Sequence, residues 1–384
     1  MKKAIVFISA AFIFFAHFAA YADEPAPGYK PPIVRVAVIK GVKDLILSVR
    51  GKVQIRPFQS DDILYEADSL AKSEASAQSW GVKIADMDFK FYGIRIIPSN
   101  EATIDIGKRS FRGEVDIIRQ KDETLLVVNH IIVEDYLKGV LYHEVSHWWP
   151  IAVLEAQAIA SRSFALYQAA ANKNRDYDLE TDVYSQVYGG ATSERYRTNK
   201  AVVNTAGKVL MYKDKILPAY FHATCAGHTE DASVLWKTDL TPLKGVICGF
   251  CNRSPHFHWK KRILVKDIQK AIGIKNIKSI SPKKFDSSGR IVALDIQTSE
   301  GKITEYSAKD FRQKLGGNTI KSAIFTVSIR LKRGKKYAYF EGAGWGHGVG
   351  MCQWGAFGMA RKGHNAQDIL KHYYPGADIE IYAE

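Results

Sequence analysis

An acidic side chain lies at the end of an apolar pattern with helical spacing. Apolar residues recur every three or four positions between Val133 and Val145, which predicts an amphipathic helix. Glu144 shares one face of that helix with Tyr136 and Val140, because residues four apart lie on the same side. A carboxyl group on a face that otherwise packs into the core is a candidate for acid–base chemistry.

Two tryptophans, Trp148 and Trp149, follow Glu144 closely. A carboxyl group among indole rings is poorly solvated, which disfavours its ionised form and raises its pKa. A glutamate that holds a proton near neutral pH can act as a general acid on a glycosidic bond. The alternative is that Glu144 is a solvated residue near a helix end, and this stretch by itself leaves both interpretations open.

A second helix is predicted after the first, and the pair occupies residues 131–171. Pro150 fits the first turn of the second helix, where its missing N–H needs no partner, and the Ala-rich sequence allows close packing. Residues 33–130 instead show the alternating pattern typical of β-strands. We therefore expect an α+β fold, with a mixed, β-rich N-terminal part and a central helical pair that carries Glu144.

The rest of the chain divides by composition and pattern. Residues 1–22 are predicted to be a cleaved signal peptide, with an uncleaved membrane anchor as the alternative, and 23–32 a Pro-rich linker. A catalytic core is expected at 131–259, an α/β insert at 260–335 and a Gly-rich C-terminal segment that completes the core at 336–384. The mature protein is expected in the periplasm or cell wall, with no stable membrane span.

The composition favours an anionic partner. The chain has a net charge of +14, and 46% of its residues are hydrophobic. A basic surface suits a polyanion, but the basic residues are spread along the chain and no usual nucleic-acid module is present. We therefore predict the bacterial cell wall as the partner and exclude nucleic acid.

Several polar residues are candidates for contact with a sugar. Gln186 and Tyr188 could face one, since amides bind hydroxyl groups and aromatic rings stack on pyranose rings; a core tyrosine is the alternative. His222 and His228 would share one side of a strand, as part of a cleft wall or of an edge that faces water. His347, among closely spaced glycines, is a candidate to orient the acid or the sugar, or a structural histidine.

The four cysteines of the chain allow two interpretations. Cys248 and Cys251 form a C-x-x-C pair, and Cys225 and Cys352 lie elsewhere in the chain. Four thiolates could hold a structural zinc ion, for which C-x-x-C is a standard half-site. An oxidising compartment could instead pair them as disulfides. The sequence leaves both alternatives open, and catalysis is expected to need no cofactor.

Several motifs occur in this order along the chain: VEDYLKGVLYHEV, EAQAIASRSFALYQA, DVYSQVYGG, YFHATCAGHTED and GAGWGHGVGMCQWGAFGMARKGHNAQDILKHYYPG. Together they resemble the stage II sporulation protein D family of peptidoglycan lytic transglycosylases and non-catalytic amidase modifiers. The resemblance covers most of the chain after about residue 33. The family's catalytic glutamate falls on Glu144, and an arginine of its active cleft falls on Arg162. Ser146 departs from the family, which usually has proline at that position.

The resemblance implies a lytic transglycosylase that cleaves the bond between N-acetylmuramic acid and N-acetylglucosamine in denuded glycan strands. Glu144 would be the general acid and base, and Arg162 would orient it or offset its charge. The resemblance also implies substrate contacts for His222, His228 and Gln353. The alternative is a non-catalytic wall-binding enhancer of an N-acetylmuramoyl-L-alanine amidase.

Some members of the family carry a Cys-x4-Cys metal site with a histidine. Here Glu180 and Ser185 occupy those two cysteine positions. That particular zinc site is therefore not expected in this chain, and it is distinct from the four cysteines described above.

Overall fold

The computed structural model describes residues 29–99, 102–181, 185–236 and 238–383. The predicted signal peptide and most of the predicted linker lie outside these residues. Helices and mainly antiparallel strands are both abundant, so the expected α+β class is confirmed. Among the described residues, no helix has the length and apolar character needed to cross a membrane.

The N-terminal part consists of strands. They are β1 (Ile33–Val42), β2 (Asp44–Val49), β3 (Val53–Pro57), β4 (Tyr65–Ala67), β5 (Leu70–Gln78), β6 (Gly81–Ile84), β7 (Met87–Phe89), β8 (Gly93–Pro98), β9 (Ile104–Ile106), β10 (Arg109–Phe111), β11 (Glu114–Arg119) and β12 (Leu125–Ile132). One sheet has the order β1-β12-β11-β8-β3-β4, and the other has the order β10-β9-β2-β5-β6-β7. Alternate residues of both sheets, such as Ile55 and Leu47, belong to one buried apolar cluster.

Two helices, α1 (Val133–Glu144) and α2 (Ile151–Ala171), follow β12 directly. Tyr136, Leu137 and Val140 of α1 join the apolar cluster of the two sheets, so the predicted division at residue 130 separates two parts that share a core. All residues of α2 from Ala156 to Leu166 are buried, as in a helix surrounded by other elements. This helix is the centre of the molecule.

The segment after α2 contributes short strands and helices. They are β13 (Leu179–Glu180), α3 (Tyr196–Asn204), β14 (Lys208–Tyr212), β15 (Lys215–Ile216), β16 (Phe221–His222) and α4 (Ala232–Trp236). Strand β13 pairs in parallel with β1 and extends the first sheet.

Residues 258–343 form two three-stranded sheets and two helices around a separate apolar cluster. The elements are β17 (His258–Leu264), α5 (Val265–Ile272), β18 (Ile277–Phe285), β19 (Ile291–Thr298), β20 (Ile303–Ser307), α6 (Ala308–Leu315), β21 (Phe325–Lys332) and β22 (Lys335–Ala343). This unit is wider than the predicted insert at 260–335, because β17 and β22 pair from His258 opposite Ala343 onward.

The C-terminal segment returns to α2. It contains β23 (Met351–Cys352), α7 (Gln353–Ala360), α8 (Ala366–Tyr373) and β24 (Asp378–Ile381). Strand β23 pairs in parallel with β16, and β24 pairs antiparallel with β14. Helices α7 and α8 pack against α2, and a capping box of Asn365 and Asp368 begins α8. The return of the chain brings the first residue of α7 close to the last residue of α1.

Candidate active site

Glu144 is the last residue of α1, where the backbone leaves the helix for an extended conformation at Val145. The side chain is partly buried. Removal of the carboxylate from water raises the pKa of Glu144 from 4.5 to about 7, although hydrogen bonds from the Val187 backbone and the Gln353 side chain act in the opposite direction. The C-terminal end of a helix also disfavours a negative charge. Glu144 can therefore hold or release a proton near neutral pH.

A row of buried amide and hydroxyl groups connects α7 and α2 to this carboxyl group. Gln353 begins α7, and its Nε2 donates to Oε1 of Gln157 at 3.3 Å. The Nε2 of Gln157 donates in turn to Oγ of Ser161 at 3.0 Å. Gln157 and Ser161 are fully buried, so the row holds the Gln353 amide in one orientation toward Glu144.

Gln186 and Tyr188, which were predicted to contact a sugar, are both buried. Oε1 of Gln186 accepts a hydrogen bond from the Tyr136 hydroxyl at 3.0 Å, and the Tyr188 hydroxyl donates to Oδ1 of Asn129 at 2.9 Å. The Tyr188 ring packs closely on α1, because a Cβ atom at Gly139 would lie 2.5 Å from it. The predicted sugar contact is wrong for both residues, since neither side chain reaches solvent, and the alternative of a core tyrosine holds.

Arg162 does not take the predicted role beside Glu144. Its Nε and Nη2 donate to the two carboxylate oxygens of Glu134 at 2.9 and 2.7 Å, and its Nη1 donates to the Lys208 carbonyl at 3.0 Å. The Arg162 side chain is completely buried. These hydrogen bonds join α2 to the start of α1 and to β14. Glu134 is the second residue of α1, whereas Glu144 is its last residue, so Arg162 contacts the opposite end of this helix from Glu144.

His222 and His228 do not share one side of a strand, because β16 ends at His222 and Ala226 turns the chain with a φ of 64°. Nδ1 of His222 donates to the Val349 carbonyl at 3.0 Å, whereas Nδ1 of His228 lies 2.6 Å from the carbonyl of Thr229. The predicted position of His222 and His228 on one side of a strand is therefore wrong. The strand does not continue because Ala226 and Gly227 form a turn.

His347 is a partly buried imidazole in a group of rings. Its ring centroid lies 5.5 Å from that of His222 and 5.0 Å from that of Trp236. Nδ1 of His347 accepts a hydrogen bond from the Val349 N–H at 3.1 Å. Burial, with a smaller effect of Arg312, lowers the pKa of His347 to about 3, so the ring is neutral at physiological pH.

The two indoles after Glu144 have opposite environments. Trp148 is 76% exposed, and its ring lies 4.6 Å from that of His147. Trp149 turns inward, with ring centroids 5.0 Å from Trp354 and 5.1 Å from Phe357. An exposed indole four residues after the acid is a suitable surface for stacking on a sugar ring. The sequence alone could not predict that one tryptophan is exposed and the other packs inward, because no periodic pattern continues after the end of α1.

The four cysteines meet at a second site. Their sulfur atoms all lie within 4.8 Å of one another, and all four residues are buried. Cys225 follows β16, Cys248 and Cys251 lie before β17, and Cys352 ends β23. The pairing of β16 with β23 sets Cys352 opposite His222, close to Cys225.

The fold and the site define an α+β protein with a proton-holding glutamate at the end of a helix that packs on the central helix. A family described as "Stage II sporulation protein" matches residues 121–212, and one described as a domain of unknown function (DUF8618) matches residues 243–350.

Similar proteins are known from several bacteria. An uncharacterised protein of Brachyspira hyodysenteriae is 35% identical, over 68% of this chain and 70% of its own. Stage II sporulation protein D of Bacillus amyloliquefaciens is 31% identical, over 66% of this chain and 75% of its own. The amidase enhancer of Bacillus subtilis is 28% identical, over 64% of this chain and 40% of its own. The chain belongs to the stage II sporulation protein D family.

Proposed function

We propose that this protein is a secreted peptidoglycan lytic transglycosylase in which Glu144 is the general acid and then the general base. The observation that carries the proposal is the partly buried carboxyl group with a pKa of about 7, supported by uncharged hydrogen-bond donors. A group with this pKa is protonated often enough to act as an acid and is basic enough to recover a proton.

The proposed reaction uses one carboxyl group twice. Glu144 protonates the oxygen that links C1 of N-acetylmuramic acid to N-acetylglucosamine, and the C1–O bond breaks. The carboxylate of Glu144 then accepts the proton of the muramyl C6 hydroxyl, whose oxygen bonds to C1. The products are a 1,6-anhydromuramyl end and a free hydroxyl on N-acetylglucosamine, and Glu144 is protonated again.

The surroundings of Glu144 fit a reaction without an activated water molecule. Glycosidases that use water usually place a second carboxylate at a set distance from the acid. The groups that donate to Glu144 are a backbone N–H and a side-chain amide, and neither can act as a base toward water. Their function is to orient the carboxyl group and to stabilise its ionised form after the first proton transfer.

The remaining residues are assigned by their exposure. Trp148 would stack on a sugar ring, because it is the exposed indole nearest in sequence to Glu144. Gln353 would position Glu144 and is itself only 7% exposed. His222 is 4% exposed and His347 is held neutral, so both would shape the site rather than exchange protons. Glycan strands without stem peptides remain the proposed substrate, and the periplasm or cell wall the proposed location.

A second function is favoured by one of the relatives. The Bacillus subtilis protein named amidase enhancer is 28% identical to this chain, over 64% of this chain and 40% of its own length. In that case the protein would bind the wall and act on an N-acetylmuramoyl-L-alanine amidase, and Glu144 would have no chemical role.

One experiment separates the two functions. The chain from Asp23 onward is incubated with denuded glycan strands, and 1,6-anhydromuramyl products are measured by mass spectrometry. Glu144→Gln is expected to lower the rate by about 10²- to 10⁴-fold or more. Glu155→Gln, in α2, is the matched control and should retain the rate of the unmodified protein.

The outcomes have distinct meanings. Product from the unmodified protein and from Glu144→Gln at equal rates would keep the activity but exclude Glu144 as its acid. Binding of the strands without any product would exclude the transglycosylase and favour the amidase enhancer. Stimulation of a purified wall amidase by both proteins would then be the next measurement.

A further inference from the structure

We propose that Cys225, Cys248, Cys251 and Cys352 bind one Zn²⁺ ion as four thiolates, and that this ion holds three separate segments of the chain together. The inference is independent of the proposed reaction. The site is structural, because all four cysteines are at most 1% exposed, and four protein ligands leave no position for a substrate.

The arrangement of the sulfur atoms fits one central ion. All four lie within 4.8 Å of one another, and the sulfurs of Cys225 and Cys251 are 3.6 Å apart. Four sulfurs in a tetrahedron around zinc, each at about 2.3 Å, are separated by about 3.8 Å from one another. The observed separation therefore needs only small side-chain adjustments to reach that geometry.

Hydrogen-bond donors surround the sulfurs. The N–H groups of Cys225 and Gly355 lie 3.2 and 3.3 Å from Sγ of Cys352, to which they donate. The Tyr373 hydroxyl lies 3.1 Å from Sγ of Cys248. Such groups can stabilise thiolates and orient metal ligands. Gly355 provides the space, because a Cβ atom there would overlap the Tyr373 hydroxyl and lie 2.7 Å from the sulfur of Cys248.

The closeness of all four sulfur atoms to one another favours a bound metal ion over two disulfides. Two disulfides require that each sulfur approach one partner, and nothing then draws the two pairs to a common point. Here every sulfur is close to the other three. A bond between Cys248 and Cys251 would close a very small ring, which tends to be reactive rather than structural. The C-x-x-C pair is better explained as half of a tetrahedral site.

The ion would also support the candidate active site. Cys352 is the N-cap of α7, and its Sγ accepts from the Gly355 N–H. The next residue is Gln353, whose amide donates to Glu144. A metal that fixes Cys352 therefore fixes the start of α7 and the position of that amide. In this sense the cysteines are positioning residues and do not touch the substrate.

The test measures metal and thiols directly. The full mature chain is purified without chelators or reductants, and its zinc is measured by mass spectrometry of the elements. About one zinc ion per chain is expected. Thiol-specific alkylation should modify no cysteine in the native protein and all four after denaturation with a chelator. Cobalt(II) in place of zinc should give the intense visible bands of a tetrahedral thiolate site.

Two variants and a control complete the design. Tyr373→Phe removes one hydrogen bond to Cys248 without removing a ligand, and it should weaken zinc retention against a competing chelator by about 10-fold. Cys251→Ser should lose the zinc more completely. The control variant Arg253→Ser changes an exposed residue two positions after Cys251, and it should retain the zinc ion. Two disulfides found by non-reducing mass spectrometry would overturn the proposal, as would iron in the site or four thiols that react in the native protein.

Discussion

Arg162 and Glu134 form a two-pronged ion pair between the middle of α2 and the first turn of α1. Nε and Nη2 of Arg162 lie 2.9 and 2.7 Å from the two carboxylate oxygens. Oε1 of Glu134 also accepts hydrogen bonds from the Tyr29 hydroxyl and from the Gly207 N–H. The pair therefore ties four parts of the chain together around α2, and its role is to maintain the fold that presents Glu144.

Loss of one member of this pair should destabilise the protein strongly. Arg162→Met leaves the Glu134 carboxylate with fewer partners, and we expect the free energy of unfolding in urea to fall by about 3–5 kcal/mol. The double variant Arg162→Met/Glu134→Leu should recover much of that loss, because no buried charge then remains unpaired. Normal stability of Arg162→Met, combined with loss of glycan cleavage, would instead return Arg162 to the catalytic machinery.

The raised pKa of Glu144 predicts a stability that depends on pH. Below about pH 4.5 the carboxyl group is protonated in the folded and unfolded chains, so its ionisation does not lower the free energy of unfolding. Between about pH 4.5 and 7 the carboxyl group is ionised mainly in the unfolded chain. Above about pH 7 it is ionised in both states, and the folded state then contains a poorly hydrated carboxylate. Glu144 should therefore lower stability progressively between these values, by at most about 3 kcal/mol, and by less because the side chain is partly exposed.

Glu144→Gln tests this dependence. The amide does not ionise, so the variant should gain stability over the unmodified protein in urea unfolding at pH 8, and gain little at pH 5. An equal difference at both pH values would show that the carboxyl group is well hydrated. Glu155→Gln provides the comparison for the loss of a carboxylate elsewhere in the helical pair.

Gln353 should set the upper pH limit of the proposed reaction. Its amide stabilises the ionised form of Glu144, so Gln353→Met should raise the pKa of Glu144 further. Removal of one hydrogen bond worth about 1 kcal/mol corresponds to an upward shift of about 0.7 pH units in the alkaline limb of kcat/KM. Gln313→Met, an exposed position in α6, is the control. A profile that stays in place in Gln353→Met would exclude this influence.

The two neighbouring tryptophans should respond differently to removal. Trp148→Ala removes an exposed ring, so stability should change little, while binding of denuded glycan weakens about 5- to 10-fold through the lost stacking. Trp149→Ala removes a ring that packs on Trp354 and Phe357, and it should cost about 3 kcal/mol of stability. Thermal unfolding and a pull-down with insoluble glycan measure the two effects, and unchanged glycan binding by Trp148→Ala would exclude a sugar platform there.

The sequence alone predicts the elements that carry the site. The spacing from Val133 to Val145 predicts α1, and the structure places Glu144 at its last position. The alternation in residues 33–130 predicts strands, and the structure has strands β1 to β12 in this part of the chain. These features depend on residues a few positions apart, so the pattern that encodes them can be read locally.

The contacts between these elements were decided by the tertiary structure. Periodicity states which side of a helix or strand is buried, but not which distant residue packs there. It could not indicate that Arg162 pairs with Glu134, or that Gln353 reaches Glu144 from the other end of the chain. The same holds for the four cysteines: the sequence supplies their chemistry, whereas the pairing of β16 with β23 and the packing of α7 on α2 bring their sulfurs to one point.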